Sequence, residues 1–178
     1  MIYRIFVEKK DNVQARKEAA DIKTLLKIAT EDFRLVLRYD VEGLTEEELK
    51  AAIPSVFSEP PVDDVYLETL EIPEGYKAFA VSYLTGQYDQ RADSAAQCVQ
   101  LLTRKSRPLI KCARVYLVKG VTLPQVQQYA EGTFFKESFL MTAAADADKS
   151  EFSFRNACWG PAESVLKIYA CLPGFSSI

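Results

Sequence analysis

The chain has 178 residues, of which 48% are apolar and 26% are charged, with a formal net charge of −3 and no histidine. This composition is typical of a globular protein of one domain or two very small ones. It offers no clustered basic surface for nucleic acid or an anionic membrane, so we expect neither partner. The missing histidine excludes Ser-His, Cys-His and His-metal chemistry for this chain, because each of these needs an imidazole.

The N-terminal residues bear on the location of the protein, and the cysteines bear on metal binding. The first residues form too short an apolar run for a signal peptide, and no run of about 18 apolar residues could span a bilayer. We therefore expect a cytoplasmic protein. No CxxC pair occurs, so we expect no zinc or other metal site and interpret the cysteines as small buried apolar residues in a reducing compartment. They are Cys98, Cys112, Cys158 and Cys171.

The first predicted elements are a strand and an amphipathic helix. Residues 2–7 are rich in β-formers, and the charged turn that follows marks the end of the strand. Apolar residues then recur at helical spacing, which predicts a helix of about four turns. Its inward-facing residues are predicted to be Ala15, Ala19, Ile22, Leu25, Leu26 and Ala29.

A second strand, a capped helix and a third strand follow. Residues 33–41 read as a strand, and the helix after it has a start signal in Thr45 and Glu48. The Thr45 hydroxyl is expected to accept from the amide of Glu48, while the Glu48 carboxylate accepts from the amide of Thr45. Past a pair of prolines, residues 62–70 predict a third strand.

Two charged groups are interpreted as solvated surface. Alternate strand residues point to opposite faces, so Glu59, Asp63 and Asp64 are expected to form a turn and a solvated strand start and not a metal or acid–base site. The basic residues Arg104, Lys105 and Arg107 are expected to form a solvated helix end, where cations are favourable.

The second half of the chain repeats the order of elements. Residues 77–84 and 110–118 predict strands, and a helix between them, 90–103, is expected to turn Leu102 inward. Thr122 and Gln125 repeat the helix-start signal. A shift of 77 without a gap superposes core positions, which indicates an internal duplication. The matched pairs are Ala15 and Ala92, Ala19 and Ala96, Ile22 and Val99, Leu25 and Leu102, Tyr39 and Tyr116, Val41 and Val118, Gly43 and Gly120, and Thr45 and Thr122.

The predicted fold is therefore α+β: two duplicated ferredoxin-like (βαβαβ-type) halves that form a pseudo-symmetric fused dimer with an antiparallel or mixed sheet and flanking helices. The duplicated domain is expected to span 1–131, with halves 1–74 and 75–131. The tail, 132–178, matches neither half. Residues 139–147, where the third strand of the second half is expected, make a poor strand.

One polar loop is the strongest candidate for chemistry. Gly86 permits a sharp exit from a strand, and the free amides at the start of the next helix suit an anion. Arg91 would act as a charged donor, with Gln87, Tyr88, Asp89, Asp93 and Ser94 as polar ligands. The alternative is a helix cap by Asp89 beside a solvated helix face, since the corresponding loop of the first half has an unlike composition.

Three motifs carry a family resemblance. They are RYDVEGL at 38–44, VFSEPPVDDVY at 56–66 and GQYDQRADSAAQC at 86–98. Together they resemble the N-terminal domain of the long, single-chain form of phosphoribosylformylglycinamidine synthase, over about residues 1 to 130. This glutamine-dependent ligase of purine biosynthesis converts formylglycinamide ribonucleotide, ATP and glutamine into formylglycinamidine ribonucleotide, ADP, phosphate and glutamate.

The resemblance implies a non-catalytic structural domain beside the substrate cleft. Its partners would be the synthetase and glutaminase domains of the same enzyme. This chain would be inactive alone and hold no cofactor, because ATP and Mg²⁺ would bind in the synthetase domain. The loop would face the synthetase cleft through Gln87, Tyr88, Asp89, Arg91, Asp93, Ser94 and Gln97.

Two departures qualify the resemblance, and one other function fits the pattern. Thr85 stands where the family has proline, and the sequence after about 131 lacks the family's Asn-Pro-Val continuation. The tail is thus expected to be a truncated, shifted or otherwise abnormal reading of the gene. The alternative function is a stand-alone ferredoxin-like module that binds a small molecule or another protein.

Overall fold

A computed structural model of the chain describes residues 1–83, 88–122, 124–126, 128–129 and, for the backbone alone, 166–171. Strands and helices are both present, so the predicted α+β class is confirmed. The elements in chain order are β1 (Ile2–Lys9), α1 (Val13–Asp21), a π-helical turn (Ile22–Leu26), β2 (Asp32–Glu42), α2 (Glu46–Ala52), a second π-helical turn (Ile53–Phe57), β3 (Asp63–Leu67), β4 (Tyr76–Tyr83), α3 (Gln90–Thr103), β5 (Leu109–Lys119) and β6 (Leu166–Cys171).

The strands form one six-stranded sheet in the order β3-β1-β2-β5-β4-β6. Each described pairing is antiparallel, so of the two predicted sheet types the antiparallel one is found. The long strands β2 and β5 pair over their full length in the centre, from Asp32 opposite Lys119 to Glu42 opposite Leu109. The prediction missed β6, and the expected strand at 139–147 lies outside the described residues.

The two faces of the sheet differ in what covers them. Because strand residues alternate between faces, odd-numbered residues of β2 and even-numbered residues of β5 share one side, which we call the helix side. Tyr39 and Cys112 on this side pack with α2 and α3. Phe33 and Tyr116 pack with α1. The other side carries a separate apolar cluster, which consists of Phe6, Val36, Ala78, Ala80, Val115 and Leu117.

Helix starts match the sequence prediction. The Glu48 amide donates to the Thr45 hydroxyl at 3.3 Å, and the Thr45 amide donates to the Glu48 carboxylate at 2.9 Å. In the second half, the Thr122 amide donates to the Gln125 side-chain oxygen at 2.9 Å. Both starts follow a glycine with positive φ, Gly43 at 97° and Gly120 at 77°, a conformation that other residues rarely adopt.

Helix ends depart from the prediction. The α-helical part of the first helix stops at Asp21, and the π-helical turn after it breaks the 3.6-residue period. Leu25, predicted to face inward, is consequently 76% exposed. Leu102 is likewise 46% exposed, because it lies in the last turn of α3 beyond Val99, the final buried residue of that helix.

The two halves of the sheet correspond with one difference. The bounds of β2 and β5 differ by 77 at both ends. The flanking strands have a different offset. β1 begins at Ile2, opposite Glu42 of β2, and β4 begins at Tyr76, opposite Lys119 of β5, so the residue numbers of β1 and β4 differ by 74. The gap-free shift of 77 therefore does not extend to the first strand of each half. Three residues separate β1 from α1, but six separate β4 from α3.

The acidic turn at the start of β3 was expected to be solvated, but one of its carboxylates is buried. Asp63 is buried, and its carboxylate lies 2.8 Å from the Lys9 ammonium and accepts from the Glu59 amide at 2.8 Å. The hydrogen bond to Asp63 is the main cause of a raised Lys9 pKa. Asp64, in contrast, is exposed. Asp63 thus fixes the corner between β1 and β3 to the sheet, which explains an acidic residue at this position.

The basic segment after α3 also makes specific contacts. The Lys105 ammonium lies 2.6 Å from the Glu48 carboxylate at the start of α2. This contact and the capping hydrogen bonds lower the pKa of Glu48 to about 2, with Lys105 as the largest cause. The end of α3 is therefore joined electrostatically to the start of α2 across the helix layer.

The expectations for cysteines and membrane segments have mixed outcomes. Cys112 is buried as predicted, but Cys98 on α3 is exposed. Cys158 falls outside the described residues, and only the backbone of Cys171 is described. None of the described helices has the length and apolar character needed to cross a membrane.

Candidate functional site

A cavity of about 540 Å³ lies between the first turns of α3 and the helix side of the central strands. We call it the α3 pocket. Its size is in the range of small-molecule sites in proteins. The polar and charged residues of its lining include Tyr39, Asp89, Arg91, Ser94, Cys112 and Arg114.

The structure divides the predicted loop residues into two groups. Asp89, Arg91 and Ser94 line the α3 pocket. Tyr88, Asp93 and Gln97 do not line it and instead contact one another on the surface. Gln87, the remaining predicted residue, lies outside the described residues.

Asp93 is the centre of the surface group. Its carboxylate accepts from the Tyr88 hydroxyl at 3.3 Å and from the Gln97 amide at 2.8 Å. The Arg107 guanidinium forms an ion pair with the same carboxylate and donates to the Asp93 backbone oxygen at 3.1 Å. Asp93 therefore connects the first turn of α3 to the segment before β5, which gives it a structural role outside the pocket.

Asp89 caps α3. One of its carboxylate oxygens accepts from the Arg91 amide at 3.0 Å and from the Ala92 amide at 3.1 Å. The expectation that these amides would be free for an anion is wrong, because the chain's own carboxylate occupies them. Asn12 caps α1 in the same manner and accepts from the Ala15 amide at 2.9 Å. The alternative interpretation of Asp89 as a helix cap is thus confirmed.

The floor of the pocket is neutral near pH 7. Tyr39 is 4% exposed, and burial is the largest cause of its raised pKa, which Arg91 partly offsets through a hydrogen bond with the hydroxyl. Burial likewise raises the pKa of the Cys112 thiol. Both groups are therefore protonated, and neither a thiolate nucleophile nor a phenolate base is present on this floor.

Two guanidinium groups give the pocket its charge. Arg91 comes from the start of α3, and Arg114 comes from β5, where it lies opposite Leu37 at the middle of the central strand pair. The Glu18 carboxylate and Arg114 both act on the Tyr116 hydroxyl, and the Asp89 charge acts on Arg91, although no ion pair within 4.0 Å joins either arginine to a carboxylate in the described part of the chain. The only acidic lining residue described is Asp89, so the lining carries a net positive charge.

Sequence reasoning missed Tyr39 and Arg114 as pocket residues. A signal existed for Arg114, since it interrupts the apolar inward positions Cys112 and Tyr116 of a strand pattern. A charged residue at such a position indicates a cavity or a buried partner. No group of three metal-ligating side chains occurs in the described residues, and the charged groups that line the pocket are two guanidinium groups and one carboxylate.

Two substitutions of Asp89 distinguish the contribution of its capping hydrogen bonds to stability from that of its charge. Asp89→Ala should cost about 1 kcal/mol of the free energy of unfolding, because two amides at the start of α3 lose their acceptor. Asp89→Asn should cost less, since the side-chain oxygen remains. Urea denaturation followed by circular dichroism measures both, with Asn12→Ala as the matched cap in α1. Equal losses for Ala and Asn at 89 would contradict the capping role.

Comparisons with known proteins add no relative. No protein-family model, no curated protein and no solved structure matches the chain. Functional inference therefore rests on the motifs of the sequence and on the geometry of the described residues.

Proposed function

We propose that the chain is an N-terminal, non-catalytic domain of a glutamine- and ATP-dependent ligase that converts formylglycinamide ribonucleotide to formylglycinamidine ribonucleotide in purine biosynthesis. The proposal starts from the three motifs at 38–44, 56–66 and 86–98, which resemble phosphoribosylformylglycinamidine synthase. In this role the chain supports the substrate cleft of a synthetase domain and transfers no group itself.

One observation carries the proposal: all three motifs contribute to the α3 pocket. Tyr39 comes from the first, Val56 from the second, and Arg91 from the third. These residues are distant in sequence, so their convergence on one pocket is not a consequence of local structure. A common site is what shared functional motifs are expected to produce.

The symmetry of the sheet supports a fused pseudo-dimer of ferredoxin-like halves. The strand order places β2 and β5 in the centre, with β1 beside β2 and β4 beside β5 as equivalents, while β6 at the edge opposite β3 comes from the tail. The helix caps Asn12 and Asp89 also differ by 77. We propose halves at 1–74 and 75–131, with the tail 132–178 outside the repeat.

The partners proposed for the chain are the synthetase and glutaminase domains of the same enzyme. ATP and Mg²⁺ would be bound by the synthetase domain. The exposed surface of α3 that carries Gln97 and Cys98 lies beside the pocket and is the proposed contact with the synthetase.

Reconstitution tests this role. We expect the full chain, mixed with a synthetase–glutaminase protein that lacks its own N-terminal domain, to associate and restore glutamine-dependent amidine formation. Arg91→Gln should weaken the restoration, because Arg91 joins the third motif to Tyr39 of the first.

The matched control for this experiment is Arg104→Gln, which removes the same charge at the other end of α3 and should restore activity like the wild type. A mixture with no complex by analytical ultracentrifugation and no gain in amidine formation would overturn the proposed function.

A further inference from the structure

The α3 pocket is larger than a simple anion needs. Its volume of about 540 Å³ falls within the range that holds ligands of nucleotide or drug size. Apolar and aromatic side chains form part of the lining, contributed by β2, β4 and the second π-helical turn. They are Leu37, Val56, Val81 and Tyr83. A free inorganic ion would leave this wall without a contact, so the shape favours an anion with an organic body.

The charges of the pocket favour a phosphate group. Arg91 and Arg114 approach from a helix and from a strand, so their guanidinium groups are held by two different elements. Guanidinium groups bind phosphate oxygens through paired hydrogen bonds, which makes arginine the preferred residue for this anion. Asp89 brings one negative charge to the lining, and two backbone amides of α3 donate to one of its carboxylate oxygens.

The remaining polar groups of the lining donate hydrogen bonds without negative charge. The Tyr39 hydroxyl lies near Arg91 at the floor, and the Ser94 hydroxyl lies one turn further along α3. Neither group repels an anion, and each has a hydrogen to offer to a phosphate oxygen. The chemistry of the site thus combines two cations, neutral donors and an apolar wall.

We propose that the α3 pocket binds a small organic phosphate monoester, with its phosphate between Arg91 and Arg114 and its organic body against the apolar wall of the pocket. Nothing in this inference requires the ligase assignment, because it uses the lining residues alone. Binding in the isolated chain and activity in reconstitution are separate measurements, so the failure of one is distinguishable from the failure of the other.

Calorimetric titration of the full chain with adenosine 5′-monophosphate tests the proposal, with inorganic phosphate and adenosine as the two parts of the probe. We expect saturable binding of the monoester and weaker binding of either part. Arg91→Gln and Arg114→Gln should each weaken binding at least about tenfold, because a charge-assisted hydrogen bond to the phosphate is lost. Arg104→Gln, outside the pocket lining, should bind like the wild type.

A measurement on the wild-type chain guards against variants that fail to fold. In ¹H–¹⁵N spectra, the side-chain N–H signals of Arg91 and Arg114 should shift on titration with the monoester, while that of Arg104 stays in place. Three results would overturn the proposal: no heat and no shift up to millimolar ligand, equal weakening by Arg104→Gln, or inorganic phosphate bound as tightly as the monoester.

Discussion

Replacing Tyr116 by alanine is expected to lower the free energy of unfolding by about 3–5 kcal/mol, the cost typical of removing a large buried aromatic ring. The Tyr116 side chain is 0% exposed and its ring stacks on Phe79 with centroids 4.8 Å apart. The rings of Phe33 and Tyr129 pack against the same ring, with centroids 6.0 and 6.1 Å from that of Tyr116. The substitution removes a ring that contacts each of the other three members of this aromatic cluster, which connects β2, β4 and β5.

Urea denaturation followed by circular dichroism measures the effect. Tyr88→Ala is the control, because Tyr88 is exposed and its loss should change stability by less than about 0.5 kcal/mol. Tyr116→Phe should fall between them, since it keeps the stacked ring and removes only the hydroxyl. A Tyr116→Ala protein with the wild-type midpoint would show that the cluster does not stabilise the sheet.

Replacing Asp40 by alanine is expected to cost a similar amount, about 3–5 kcal/mol, for an electrostatic reason. Asp40 is buried on the side of the sheet opposite the helices, next to two arginines. Its carboxylate lies 2.7 Å from the Arg4 guanidinium and 3.3 Å from the Arg38 guanidinium. Removing the carboxylate takes an ion-pair partner from the partly buried Arg4 and from the buried Arg38.

Asp64→Ala is the matched control, because the exposed Asp64 pairs with Lys10 at 3.7 Å and should contribute less than about 1 kcal/mol. Adding Arg4→Met to the Asp40→Ala protein should recover part of the loss, since the guanidinium that lies 2.7 Å from the Asp40 carboxylate in the wild type is then removed as well. If Asp40→Ala and Asp64→Ala proteins unfold at the same urea concentration, burial of this ion cluster has no energetic consequence.

Local features of the fold could be read from the sequence because their causes lie within a few residues. The Thr45 and Thr122 helix starts depend on a partner three positions away, and both are found where the pattern predicts them. The pairing of β2 with β5 depends on contacts between distant residues, which a periodic pattern does not encode. The same limit explains why β6 was missed, since its pairing with β4 joins segments that are far apart.

The candidate site shows the same division. Asp89, Arg91 and Ser94 were found because they lie at most five positions apart in a polar loop and helix start. Asp93 was assigned to the ligand set because its partner, Arg107, lies fourteen residues away on the next connection. Arg114 was missed because the pocket it enters is formed by α3 packing over the central strands.

The unequal connections before α1 and α3 bear on how the pocket could arise. The β4–α3 connection has three residues more than the β1–α1 connection. In an assembly of two identical subunits, any insertion would appear in both copies of such a loop. Here the two connections are encoded separately in one gene, so a mutation can lengthen one and leave the other short. A single polypeptide can therefore specialise one end of its sheet while the other end keeps a purely structural loop.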